Sequence, residues 1–319
     1  MIKKKIQCKE LLVKKIKVLF SGLIGLLLLV NLLIGHSQEN QKIRIVTTIF
    51  PLTEIARAVV GNRGDIFQLI PTGAEVHDFQ LRPSDVSHLH QADLILAVGP
   101  RLEPWLKKIE GALNGKPGHK IYFYEELESE DFPGLVEADP HLWLDLKADE
   151  LLTGALVKTL GEIDPGGQDY YRQRGQRFQA ELSALDRAFK EQLKTCSSDI
   201  FIVAGHQAFG YLARRYNLEL YSLVGANPEA RPGLKKIQEI IELIKREKVK
   251  AIFYESSVNP YYAQTIARET GVKLYPLSTG VHLKPEEVEK NVSFLQLMKQ
   301  NLETMRTALE CPETRDDHD

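Results

Sequence analysis

Three histidines stand in similar settings in a chain of 319 residues. His77 lies in AEVHDFQLRPSD (74–85), just past a hydrophobic run. His141 lies in ADPHLWLDL, shortly after the acidic stretch EELESED (125–131). His206 lies in IVAGHQAFGYL, where a strand pattern passes into a helical one. Glu255, in IFYESSVNP, closes another strand pattern in the same way. Neutral imidazoles bind divalent transition metals, and a carboxylate can complete the set. The histidines are 64 and 65 residues apart, and Glu255 follows His206 by 49. That is no local zinc-finger spacing, so such a site forms only if the fold brings distant segments together. Taken one at a time, each histidine reads equally as an ordinary hydrogen-bonded residue at a strand end. His88 and His90 are two apart on a predicted helix and face different directions, as surface residues do. His119 follows GKPG in a turn, His36 falls beside the N-terminal apolar run, and His318 is in the tail.

The elements that must position these residues alternate along the chain. KIRIVTTIF (42–50), DIFQLI (65–70), ADLILAVG (92–99) and KIYFYEE (120–126) read as strands in the first half. DIFIVAG (199–205), LELYSLVG (218–225), KAIFYES (250–256) and VKLYPLS (272–278) read as strands in the second. Leu52, Ile55, Ala56, Val59 and Val60 recur at helical spacing up to Gly61, Pro83 with Asp85 opens a second helix, and LKKIQEIIELIKREK (234–248) is a further helical run. Apolar strands with helical crossovers imply parallel sheets covered on both faces. In open sheets of this kind ligands bind outside the carboxyl ends of the strands, where His77, His206 and Glu255 fall. Residues 168–194 contain no proline and one glycine, and read as a single stiff helix of roughly 40 Å. The expected organisation is an N-terminal lobe over 42–167, the helix over 168–194, a C-terminal lobe over 195–311 and a frayed tail over 312–319.

Residues 1–37 carry seven lysines and one glutamate, followed within that span by the uncharged run LFSGLIGLLLLVNLLIG (19–35). This reads as an export signal, with Gly35 and Ser37 suited to a cleavage site, or as an N-terminal membrane anchor if it is retained. The whole chain has net charge −2. The rest then holds 34 basic against 42 acidic residues, an acidic body that favours cations and argues against nucleic acid as a partner. Export leaves Cys196 and Cys311, which either pair in an oxidising compartment or remain separate thiols.

The segments around these residues, GAEVHDFQLRPSDVSHLHQADLILAVGPRLEPWL (73–106), DPHLWLDL (139–146), GHQAFGYLARRYNL (205–218), NPEARPG (227–233) and AIFYESSVNP (251–260), occur in series. Together they resemble the zinc- and manganese-type metal solute-binding proteins of bacterial ABC importers, most closely the zinc-uptake branch, over nearly all of residues 42–310. The resemblance implies two (β/α) lobes joined by one long rigid helix, a metal ion in the cleft between them, and modest lobe movement on release. It implies that the family's three histidine ligands fall on His77, His141 and His206, with Glu255 matching by its place at a strand end. Many members of the family carry a further aspartate in a D-P-L stretch after the last strand; here the stretch reads LYPLSTG, with Tyr275 at the acid's position. A phenol of pKa about 10 is a poor ligand near neutral pH. The fourth position then falls to Glu255, a water, Glu75 or His282. Three imidazoles favour zinc over manganese, which prefers more carboxylate oxygen. The chain lacks the long histidine-rich loop of some zinc-uptake relatives.

The expected function is that of a monomeric, extracytoplasmic receptor that captures zinc and hands it to an ABC permease in the membrane, with affinity falling as pH drops through the histidine pKa near 6.5. The rival from another class is a zinc hydrolase using the open fourth position, with Glu255 or Glu75 as base; no H-E-x-x-H motif supports it. A manganese-binding or adhesin-type relative is the third reading.

Overall fold

The computed structural model describes residues 42–312 apart from 110, 112, 114–117, 137, 226–229 and 257. The export signal or anchor and most of the tail therefore lie outside the described residues. The first half comprises β1 (Ile43–Thr47), α1 (Phe50–Val60), β2 (Gly64–Gln68), α2 (Pro83–Gln91), β3 (Leu94–Ala97), α3 (Trp105–Ile109), β4 (His119–Tyr122), α4 (Phe123–Ser129) and α5 (Leu146–Ile163). The helix α6 (Gln168–Leu193) follows. The second half comprises β5 (Ile200–Val203), α7 (Gly210–Arg215), β6 (Glu219–Ser222), α8 (Leu234–Glu247), β7 (Ala251–Glu255), α9 (Tyr261–Thr270), β8 (Lys273–Leu277), α10 (Pro285–Glu289) and α11 (Phe294–Ala308).

Each half holds one four-stranded sheet, in the orders β2-β1-β3-β4 and β6-β5-β7-β8. Every pairing is parallel, as the apolar strands and helical crossovers predict. Successive side chains in a strand face opposite ways, and the two faces of each sheet feed different cores. Val46, Ile95 and Ala97 pack outward with Leu89 and Leu106 of α2 and α3. Ile202 and Ile252 pack outward with Ile240, Ile244 and Ile266 of α8 and α9. The alternate residues Ile45 and Leu96 from the first sheet, and Phe201, Val203 and Phe253 from the second, enter one shared core with α1, α5, α6 and α11. That continuous apolar layer joins the halves and resists wide separation.

The long helix lies in this layer. Tyr171, Phe178, Leu182, Leu185, Phe189 and Leu193 are buried along one stripe at helical spacing. At Gly175 a side chain would run into Val157 of α5, so glycine permits the close approach of the two helices. Arg215 of α7 pairs with Asp186 of α6 through Nε–Oδ1 at 2.5 Å and Nη2–Oδ2 at 2.7 Å, and the Tyr216 hydroxyl donates to Asp186 at 3.1 Å. Beyond α6, Cys196 and Cys311 form a disulfide across 115 residues of sequence, which settles the open question of their pairing.

The main difference from the sequence reading is at 120–126. β4 ends at Tyr122, and Phe123 starts a helix whose first turn carries Glu125 and Glu126. Acidic side chains suit that positive end of a helix, and the glutamates that follow are good helix formers. The first strand is likewise shorter than read, because Pro51 opens α1 at Phe50. Among the described residues no helix is long and apolar enough to cross a membrane.

Candidate metal centre

His206 stands three residues beyond the end of β5, and Glu255 is the last residue of β7. His141 precedes a buried single-turn helix, Leu142–Leu144, and Asp145 caps α5 immediately after it. Asp145 Oδ1 accepts from the amides of Lys147 and Ala148 at 2.9 and 3.4 Å, and lies 3.2 Å from Arg215 Nε. The His141 segment is thereby tied to α7, the helix that follows His206. His77 comes from the loop after β2. That loop turns at Gly73, whose φ of 90° suits glycine, and is anchored by buried Val76.

These segments bring three rings together. The ring centroids of His77 and His141 are 5.4 Å apart, those of His77 and His206 5.7 Å, and those of His141 and His206 5.2 Å. One nitrogen from each ring can be chosen so that all three lie within 4.8 Å of one another. His141 and His206 are buried and His77 is partly buried. Of the sequence candidates, then, the three histidines converge.

The far nitrogens of two rings are held by carboxylates. His141 Nδ1 lies 3.0 Å from Asp139 Oδ1, which also accepts the His141 amide at 3.1 Å, while Asp139 Oδ2 takes Arg214 Nη2 at 3.3 Å. His206 Nδ1 lies 2.5 Å from Glu255 Oε1. Carboxylates behind imidazoles fix the tautomer with the proton on Nδ1 and leave Nε2 as a lone pair. The two Nε2 atoms then face each other at 3.3 Å. Two lone pairs at that distance form no hydrogen bond with each other; they repel unless a cation lies between them. Two nitrogens bound to one tetrahedral ion at about 2.05 Å are separated by about 3.3 Å. The donor set and its spacing therefore fit a tetrahedral metal ion.

Burial holds the His77 imidazole well below its ordinary pKa, at about 4, helped by the positive charge that His141 and His206 would carry. His141 is also lowered by burial, against the opposing pull of Asp139. The expectation of a fall in affinity near pH 6.5 is thus corrected for these two rings. They stay neutral and competent to bind at more acidic pH.

The remaining candidates sit elsewhere. Glu255 contacts the His206 ring from behind. Glu75 Oε1 accepts the His77 amide at 3.0 Å, and its Oε2 is 3.9 Å from His282 Nε2. Tyr275 lies inside β8, opposite Phe253 with ring centroids 6.4 Å apart, two residues short of the strand's carboxyl end. It packs in the sheet and does not occupy a mouth position. Sequence reasoning missed Asp139, although a carboxylate two residues before a candidate histidine was a usable signal. It also missed Trp143, whose ring is 5.4 Å from that of His141 and whose Nε1 donates to Thr279 O at 2.7 Å. His88 is exposed and stacks on Phe67, and His90 is exposed, as surface residues.

Comparison with known proteins follows the same lines. Residues 45–308 match the family model described as zinc-uptake complex component A, periplasmic (ZnuA). The chain is 28% identical over 290 residues to the high-affinity zinc uptake system protein ZnuA of Bacillus subtilis (strain 168), covering 85% of this chain and 89% of that one. It is 26% identical over 287 residues to the zinc-binding protein AdcA of Streptococcus pyogenes serotype M1, and there spans 83% of this chain and only 56% of the longer relative. The crystal structure of the Zn(II)-bound ZnuA-like domain of Streptococcus pneumoniae AdcA superposes with a TM-score of 0.73 at 26% identity, over 84% of this chain and 99% of the other.

Proposed function

The chain belongs to the family of the periplasmic zinc-uptake complex component A, and from that premise we propose that it is an extracytoplasmic receptor that captures one zinc ion and delivers it to a membrane permease of the ABC type. The metal is cargo here, held by His77, His141 and His206. The observation that carries this reading is the pair of facing Nε2 atoms at 3.3 Å, each set by a carboxylate on the other side of its ring. Neutral nitrogen donors at tetrahedral spacing favour zinc over manganese. Asp139 and Glu255 supply negative charge from behind the rings, so the ion is partly neutralised without carboxylate entering its immediate shell. The disulfide supports an oxidising compartment. A base for hydrolysis gains no support: Glu255 is engaged with His206, and Glu75 with the His77 amide.

Delivery requires release, and the fold favours small movements over hinge opening. The shared core and the Trp143–Thr279 hydrogen bond join the halves beside the site. The test is zinc affinity by chelator competition, with metal content by elemental analysis, on His77→Ala, His141→Ala and His206→Ala. Each substitution is expected to lower affinity by at least about 100-fold, since each removes one of three nitrogen ligands, with circular dichroism unchanged. Wild-type affinity in all three variants would refute the site.

A further inference from the structure

We propose that His282 is the fourth zinc ligand of this chain, giving a site made of nitrogen alone. The inference rests on the receptor reading above and specifies its binding site further. Three imidazoles leave one corner of a tetrahedral ion open. The resemblance places its carboxylate at Tyr275, which lies inside β8; the loop that follows runs Ser278, Thr279, Gly280, Val281, His282 and contains no carboxylate. Its first metal-binding side chain is His282.

That loop is a built structure. The Ser278 amide donates to Asn301 Oδ1 at 2.9 Å, and Asn301 Nδ2 donates back to Ser278 O at 2.8 Å. The Gly280 amide donates to Ser278 Oγ at 3.1 Å. Gly280 has φ 77° and lies on the Phe294 ring with no room for a side chain. Thr279 O accepts from Trp143, whose ring packs against the first-half ligand His141. Val281 is buried. The backbone that carries His282 is therefore fixed to its own half through Asn301 and to the His141 segment through Trp143.

The side chain itself is held more loosely. It is 16% exposed, and its Nε2 is 3.9 Å from Glu75 Oε2, too far for a hydrogen bond. Among the described residues the ring makes no hydrogen bond. Glu75 is differently placed, because its Oε1 already accepts the His77 amide. Moving Glu75 onto the ion would strand that amide, whereas turning the His282 ring costs no existing bond. Glu75 thus marks where His282 waits, outside the cluster of the other three rings but beside the residue whose Oε1 holds the His77 amide. With His282 bound, the site is four neutral imidazoles. That donor set brings no carboxylate into the ion's immediate shell and sharpens selection of zinc against manganese.

Cobalt(II) is the probe, because its visible d–d bands report the number and kind of donors, independently of transport. His282→Ala is expected to keep one-to-one cobalt binding, to shift and weaken the d–d bands, and to loosen zinc by at least about 10-fold. His282→Gln keeps the size of the residue and should behave the same. Glu75→Gln should leave the wild-type bands in place. Wild-type bands and zinc affinity in both His282 variants would overturn the inference. So would a change of bands in Glu75→Gln alone, which would make Glu75 the ligand. If the His77, His141 and His206 variants retain zinc as well, the receptor reading itself fails. If those three lose it while the His282 variants do not, only the fourth-ligand assignment falls.

Discussion

The two halves repeat one strand order, yet the buried glutamates near the third sequential strand of each are used differently. In the first half Glu103 follows β3, and in the second Glu255 closes β7. Both are buried, at 0% and 5% exposure. Glu103 Oε2 accepts the Gly99 amide at 2.8 Å, and among the described residues Oε1 has no hydrogen-bond partner. Burial pushes its pKa up to about 7, against the lowering effect of the Thr48 hydroxyl and the Gly99 and Val98 amides. Glu255 faces His206 Nδ1 at 2.5 Å. A buried glutamate near the carboxyl end of the third strand thus serves a backbone turn in one half and the His206 ring in the other. What decides is the residue across from the carboxylate, which neither strand order nor burial specifies. The halves differ also in closure: a disulfide spans the second from Cys196, before β5, to Cys311, after α11, while the first half has no cysteine among its described residues.

The sharpest break of that asymmetry is to open the clasp. Converting both cysteines to serine removes a cross-link over 115 residues and should cost about 4–5 kcal/mol by loop-closure entropy. Guanidinium titration followed by circular dichroism reads this directly. Zinc stoichiometry should survive at low denaturant, because the clasp lies at the amino side of β5 while His206 and Glu255 lie at the carboxyl ends. A loss of stability below about 1 kcal/mol would show that the shared core, and not the cross-link, holds the second half.

A finer cut compares the two glutamates. Glu255→Gln should loosen zinc by about 10–100-fold, because the amide fixes the His206 tautomer less firmly and removes negative charge near the ion. Glu103→Gln should leave zinc affinity unchanged. Equal effects on zinc would dissolve the contrast between the halves.

Much of this was legible in the sequence. The parallel sheets follow from apolar strands separated by helical patterns, and His77 and His206 were marked by their place just past such strands, whereas His141 was marked only by its motif after the acidic stretch. The long helix was marked by its lack of breakers, and its ends agree with the reading to within a residue. The helix α5 went unread. Its LKADELLTGALVKTLGEI is buried on several sides, including Asp149 and Glu150, so it lacks the polar face that announces a surface helix. The partnerships of Asp139 and Glu255 with particular ring nitrogens were also out of reach. They depend on side-chain direction at Ångström scale, whereas sequence spacing reports only which strand end a residue occupies. Tyr275, set aside in the sequence as a poor ligand, lies within β8, two residues short of its carboxyl end.

The smallest expected effect concerns stability against pH, where the site ring His77 and the structural acid Glu103 pull in opposite directions. Glu103 is raised from 4.5 to about 7. Between those values the folded chain keeps a proton that the unfolded chain has released, so stability falls as pH rises through the window. His77 is lowered from 6.5 to about 4. Between 6.5 and 4 the unfolded chain takes up a proton that the folded chain refuses, so stability falls as pH drops. The two trends partly cancel in the wild type between pH 4.5 and 6.5. Glu103→Gln keeps an acceptor for the Gly99 amide and removes the first trend. The variant should be more stable than the wild type at pH 8 and no more stable at pH 4, with a plain loss of stability on acidification below pH 6.5. Metal-free thermal melts across that range measure it. A gain of equal size at pH 4 and pH 8 would mean that Glu103 does not hold a proton in the fold, and the contrast drawn between the two glutamates would then rest on Glu255 alone.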